Sequence, residues 1–252
     1  MTAQAILLPG AVTPAELAYG ALLEALGDGV HAVAKDLELY AGRTPPAGYS
    51  LQHEIDGILR TAESAGFDRF HLVGYSGGGA ASLAFAAEHP ERIATLALIE
   101  PAWMGNDGLS PPERVVWDEL ERIAALAPDQ MLAEFVTVQL AAGVAPPPPA
   151  GPPPPWMAIR PAGLRAFIGT LTTSHLDLDR LRAFGGPVLF ALGARSNPDL
   201  YARMAERAST LFADLTLELF AERHHFDPPH RAEPEPTARL LRAHWQRGTP
   251  ES

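Results

Sequence analysis

Ser76 stands in Gly74-Tyr75-Ser76-Gly77-Gly78, and the glycines two residues to either side of it are the strongest chemical signal in the chain. An apolar run over 70–73 leads into this turn, and an alanine-rich helical stretch over 80–88 follows it. A sharp strand-to-helix turn of this kind lifts a serine hydroxyl above a sheet edge. The tight turn leaves no room for side chains at the flanking positions, which Gly74 and Gly78 remove. A helix starting after Gly77 aims free N–H groups at the reacting atom, where they favour a developing oxyanion. The chemistry predicted is nucleophilic attack by Ser76. A phosphate cradle fits less well. The run does not match the dinucleotide fingerprint, and no lysine follows as a P-loop requires.

The surrounding pattern supplies the elements that would hold such a turn. Apolar runs over 5–8, 30–37, 70–73, 93–99, 188–192 and 215–220 read as strands. Unbroken apolar strands suit a parallel sheet covered on both faces. Helical spacing over 14–26, 51–65, 80–88, 198–211 and 236–246 alternates with them, which gives the α/β class. Thr13 is the expected N-cap of the first helix, and Gly66 ends the second. Between 102 and 185 the pattern changes to helices over 113–126, 129–140 and 162–172, broken by the proline-rich segment 145–155. That segment is expected to be extended and exposed. The expected organisation is a core of 1–101 and 186–252 with a helical cap over 102–185.

Composition narrows the class. The chain has 252 residues, 47% of them hydrophobic, enough for a sizeable core. It has no cysteine, which excludes disulfides, thiolate catalysis and Cys-ligated metals. The net charge of −11 argues against nucleic acid and against an anionic membrane surface. No apolar run approaches a membrane span and no signal-peptide pattern opens the chain, so a cytoplasmic location is expected. His224, His225 and His230 lack zinc-site spacing, and no metal is expected.

The order and spacing of these parts, over about 1–100 and 187–245, resemble the α/β-hydrolase superfamily. His71-Leu72-Val73-Gly74-Tyr75-Ser76-Gly77-Gly78 resembles its nucleophile strand and elbow. Glu88-His89-Pro90-Glu91-Arg92-Ile93 resembles the connection that follows. The resemblance implies the triad order serine, acid, histidine. It points to His225 in Glu222-Arg223-His224-His225-Phe226 as the base, with His224 as its rival by a one-residue slip. His175, His230 and His244 are expected in solvated roles.

The acid departs from the usual pattern. The common position, after strand 188–192, carries Ser196. A second position known in the superfamily directly follows the strand after the nucleophile helix, and Glu100 fills it. A carboxylate there could accept from His225 Nδ1–H and fix its tautomer. Asp199 is the alternative. The expected oxyanion donors are the N–H groups of Gly77 and Ala11, with Val12 the alternative to Ala11, and the expected substrate-lining residues are Tyr75, Trp103, Met104 and Trp156.

These parts imply a serine hydrolase for a small or medium apolar acyl substrate (ester, thioester or lactone), without cofactor. Carbon–carbon hydrolysis, cofactor-free perhydrolysis and acyl transfer would use the same parts. A non-catalytic binder of the same fold is the reading from a different class. The expected partner is a small molecule rather than nucleic acid or membrane, with a homodimer left open.

Overall fold

A computed structural model describes residues 2–146, 148 and 151–248. The six apolar runs form strands: β1 (Ala3–Leu8), β2 (Val30–Ala34), β3 (Phe70–Tyr75), β4 (Ile93–Ile99), β5 (Val188–Gly193) and β6 (Leu215–Phe220). They make one parallel sheet in the order β2-β1-β3-β4-β5-β6. Every residue of β3 and β4 is buried, as expected for central strands covered on both faces.

Alternate residues of each strand feed two cores. Leu7, Val73, Ile99 and Leu189 pack with Tyr19 and Leu22 of α1 (Ala15–Leu26) and with Leu241 and Trp245 of α10 (Pro234–Arg247). Leu8, Leu72, Leu98 and Phe190 face the other way, onto Ile55 and Ile58 of α2 (Leu51–Ala65), Leu83 of α3 (Gly77–Glu88) and Met204 of α8 (Arg203–Leu211). Four helices lie between β4 and β5 in the chain: α4 (Pro111–Ala124), α5 (Pro128–Thr137), α6 (Arg160–Thr173) and α7 (Leu178–Arg182). In α4 the Glu113 carboxylate accepts the Ser110 N–H at 2.8 Å, one half of a capping box that fixes the start of the helix. Among the described residues no helix is long and apolar enough to cross a membrane.

Some local expectations fail for traceable reasons. The second strand stops at Ala34, and Asp36 then turns back so that its Oδ1 accepts Ala15 N–H at 2.7 Å. That long-range contact caps α1, so Thr13 is not its N-cap. The short helices α7 and α9 (Pro229–Ala232) offer too few turns for a periodic signal. In the proline-rich segment residues 145, 146, 148 and 151–155 are exposed, while 147, 149 and 150 lie outside the described residues. The end of that segment, Pro155–Ile159, coils into a 3-10 turn rather than staying extended.

His230 and His244 are buried rather than solvated, because α9 and α10 turn them onto the sheet. His244 Nε2 donates to Leu96 O at 3.1 Å, and His71 pairs with Thr95 Oγ1 at 3.0 Å. Neither ring nitrogen of His230 has a partner. Burial pushes His71 and His244 down to about 4 and His230 down to about 3. Unfolded imidazoles protonate as pH falls below about 6.5, while these three stay neutral in the fold. The unfolded chain therefore binds more protons, and stability present above pH 6.5 is lost as pH falls toward 3–4. Urea unfolding should show a midpoint clearly lower at pH 5 than at pH 7.5. His230→Leu should reduce the loss by about 2 kcal/mol. Equal midpoints at the two pH values would contradict this account.

Candidate active site

The β3–β4 register pairs Tyr75 with Ile99, so the next residues, Ser76 and Glu100, leave the sheet side by side. Both have left-handed backbones, φ 51° and 44°, and no other non-glycine residue among those described does. A serine or glutamate held there costs about 1–3 kcal/mol, so the surroundings must enforce it. Three hydrogen bonds do so. Ser76 N–H donates to Ile99 O at 3.1 Å, Glu100 N–H to Ala191 O at 3.1 Å, and Ala102 N–H to Ser76 O at 2.8 Å.

His225 reaches this edge from the loop after β6. Its Nε2 is 2.9 Å from Ser76 Oγ, and its Nδ1 is 3.1 Å from Glu100 Oε2. An ionised carboxylate only accepts, which assigns the proton to Nδ1 and leaves Nε2 free to take the serine proton. The second oxygen, Oε1, accepts Gly193 N–H at 2.9 Å, which fixes the carboxylate plane. Glu100 and His225 are both almost fully buried. His224 does not approach Ser76; its Nδ1 accepts Phe226 N–H at 3.2 Å, and burial lowers its pKa. Asp199 is exposed at a turn start, where its N–H bonds to the Asn197 side chain. Ser196, at the common acid position, is buried with an unpartnered hydroxyl.

The histidine is also held by rings. Tyr201 stacks on it at 4.5 Å and 16°, and donates its hydroxyl to Gln139 Oε1 at 2.6 Å. Gln139 in turn donates to Phe135 O at 2.8 Å. Tyr75 donates its hydroxyl to His225 O. Burial pushes the Tyr75 and Tyr201 hydroxyls up, so both remain donors at any ordinary pH. Tyr201 and Gln139 gave no signal in the sequence, because their partners lie tens of residues away.

Among the described residues neither Ala11 N–H nor Gly77 N–H has an acceptor. Ala11 N lies 3.2 Å from where a Cβ on Gly77 would stand, so the two residues are close neighbours beside Ser76. Gly78 N–H donates to Pro9 O at 2.9 Å and ties the loop before Ala11 to the helix start.

Two cavities open on Ser76. One, about 170 Å³, is lined by Gly10, Thr13, Tyr75, His225, Phe226 and Arg231 among others. The other, about 20 Å³, is apolar, with Trp117, Leu120, Phe135, Phe167, Ile168 and Leu200 around it. Of the four residues expected to line the cleft, only Tyr75 does. Trp103 is fully buried and donates Nε1–H to Asn106 Oδ1 at 2.8 Å. Met104 is buried, with its carbonyl held by Arg207. Trp156 lies over Arg160, 5.3 Å from its guanidinium carbon. The lining comes instead from the inner faces of α4, α5 and α6, whose spacing looks like ordinary core. No group of three or more His, Asp or Glu that could hold a metal occurs among the described residues.

Residues 44–143 match a family model described as the alpha/beta hydrolase fold. The chain has the α/β-hydrolase fold. It is 35% identical over 65 residues to a putative carbamate hydrolase, RutD, of Caulobacter vibrioides, covering 26% of this chain and 24% of that protein. Over 101 residues it is 30% identical to a fluoroacetate dehalogenase of a Burkholderia species, covering 38% of this chain and 30% of the relative. The matches thus span less than a third of these relatives. The crystal structure of a bacterial membrane phospholipase A superposes with a TM-score of 0.75 at 22% identity, over 99% of this chain and 80% of that one. That similarity speaks to the fold alone.

The elbow glycines are tightly enclosed. A Cβ on Gly74 would lie 2.5 Å from Gly78 O, and one on Gly78 would lie 2.3 Å from Leu8 O. Gly20, in α1, has nothing within 4 Å. Gly74→Ala and Gly78→Ala should each destabilise the fold by about 2 kcal/mol or more, read from urea midpoints. Gly20→Ala should stabilise it by about 0.5–1 kcal/mol. Tolerance of alanine at both elbow positions would contradict the packing described.

Proposed function

We propose that the chain is a serine hydrolase for short apolar acyl substrates, working through Ser76, His225, Glu100 and an acyl-enzyme. One observation carries the reading: an unbroken serine–imidazole–carboxylate relay, with spacings of 2.9 and 3.1 Å, beside two N–H groups without acceptors. Ser76 Oγ attacks the acyl carbon while His225 Nε2 takes its proton. Negative charge gathers on the former carbonyl oxygen, facing Ala11 and Gly77 N–H. The tetrahedral centre collapses, and the leaving oxygen or sulfur departs with the proton from His225. Water then enters, gives a proton to His225 and adds to the acyl carbon; the bond to Ser76 Oγ breaks, His225 returns the proton to that oxygen, and the acid leaves. Glu100 stays ionised, holds the tautomer and stabilises the imidazolium.

The α/β-hydrolase fold and the similarity to a putative carbamate hydrolase and a fluoroacetate dehalogenase support a hydrolase. The choice of an acyl substrate rests on the relay and the cavities. The small apolar cavity suits the acyl chain, and the larger cleft with Thr13 and Arg231 suits the leaving group. The smaller cavity is about 20 Å³, close to the room one water needs, so it favours a short acyl chain. The acidic, cysteine-free composition fits a cytoplasmic setting and a small-molecule partner.

Turnover of p-nitrophenyl esters of graded chain length tests this reading. Acetate or propionate should exceed octanoate by tenfold or more in kcat/KM. Ser76→Ala should abolish the activity without loss of folding. Glu100→Gln should lower kcat by about 10³–10⁴-fold, while Asp199→Asn should leave it near wild type. Activity surviving Ser76→Ala, or a preference for octanoate, would overturn the corresponding part of the proposal.

A further inference from the structure

Tyr40 plays no part in the relay, yet its hydroxyl donates to the carbonyl of Ala11, the residue whose N–H is offered to the oxyanion. Its position is fixed from two sides. On the core side Glu54 of α2, fully buried, accepts the N–H groups of Glu38 and Leu39, both at 2.9 Å. Those bonds hold the 3-10 turn Glu38–Tyr40 in place. The same carboxylate accepts the Tyr49 hydroxyl at 2.9 Å.

On the other side stands α6. The Arg160 guanidinium carbon is 3.8 Å from the centre of the Tyr40 ring. Arg160 is only 3% exposed, its Nε has no acceptor, and no carboxylate lies within 4 Å among the described residues. A buried cation without a carboxylate is costly, and here the faces of Tyr40 and Trp156 are what meets it. Gly163, one turn further along α6, comes so close that a Cβ there would lie 2.1 Å from the Tyr40 ring. The helix backbone therefore rests on the tyrosine.

We infer that Tyr40 is a positioning residue for the oxyanion donor, and that Arg160 couples the seating of α6 to that donor through the Tyr40 ring. The Ala11 peptide lies midway between two backbone anchors. On one side Pro9 O accepts Gly78 N–H, and on the other Ala15 N–H is held by Asp36. Between them the Tyr40 hydroxyl is the side-chain tie on the Ala11 carbonyl, and by fixing the peptide that follows Ala11 it limits how the residue that offers the N–H can turn. A donor aimed at charge that develops only in the transition state affects kcat more than KM. The inference rests on Ala11 as an oxyanion donor in the proposed reaction.

Tyr40→Phe keeps the ring and its contact with Arg160 but removes the tie. It should lower kcat for p-nitrophenyl acetate by about 10–100-fold, with KM within threefold and a melting temperature close to wild type. Phenylboronic acid, which mimics the tetrahedral centre on Ser76, should bind more weakly by a similar factor. Arg160→Met should act in the same direction. The double variant should be no worse than the more damaging single one, since both act through one contact. Hydrogen exchange at the Gly10–Thr13 amides should accelerate in Tyr40→Phe, a readout independent of turnover. Wild-type kcat with unchanged exchange would overturn the inference, as would a raised KM at constant kcat. If wild type hydrolyses no ester, the hydrolase reading fails, and exchange at 10–13 alone decides whether Tyr40 fixes the loop.

Discussion

Two adjacent parallel strands end in left-handed residues, and the rest of the site depends on that pair. Ser76 and Glu100 leave β3 and β4 in register, with the Ser76 N–H on Ile99 O and the Glu100 N–H on Ala191 O. Neither side chain favours such a backbone, and neither would adopt it in a loose loop. The fully buried strands beneath supply the rigidity. Gly74, Gly78 and Gly193 supply the room, since a Cβ at any of them would strike backbone at 2.6 Å or less. Once both residues are fixed, a single imidazole from the loop after β6 can meet the hydroxyl with one nitrogen and the carboxylate with the other. The Gly193 N–H at the end of β5 donates to the Glu100 carboxylate and holds it in place.

The parts of the site that were legible in the sequence are those with local causes. The glycine spacing around Ser76 follows from close backbone approach, and it is visible without any partner. Glu100 was legible because a strand end has a fixed address in a parallel sheet, whereas Asp199 was attractive only by nearness to the usual position. Pocket residues were not legible. Trp103 and Met104 follow Glu100 in sequence, but the chain turns them into the core. Trp117, Phe135 and Phe167 line the small cavity from helix faces whose periodicity is that of any buried stripe. Tyr201 and Gln139, which brace His225, meet each other across 62 residues. No local pattern marks such a contact.

The helices between β4 and β5 thus do more than cover Ser76. α4, α5 and α6 shape the small apolar cavity, the segment just after α5 supplies Gln139 to the ring that stacks on His225, and α6 rests on Tyr40. Three contacts of different chemistry (apolar, amide–hydroxyl and cation–π) run from one insertion to the cavity beside Ser76, the ring stacked on His225 and the loop that carries Ala11. A change in how these helices sit would alter specificity and rate together, which is one physical reason a single fold hosts many chemistries.

The central claim is that His225, held by Glu100, activates the Ser76 hydroxyl in the folded protein. Reaction with a fluorophosphonate probe reads that activation without any assumption about the natural substrate. Wild type should take up one equivalent, with the mass increase on the peptide that carries Ser76, and His225→Ala should label at least a hundredfold more slowly. A folded wild-type protein that fails to label, or a His225→Ala variant that labels as fast, would contradict the account.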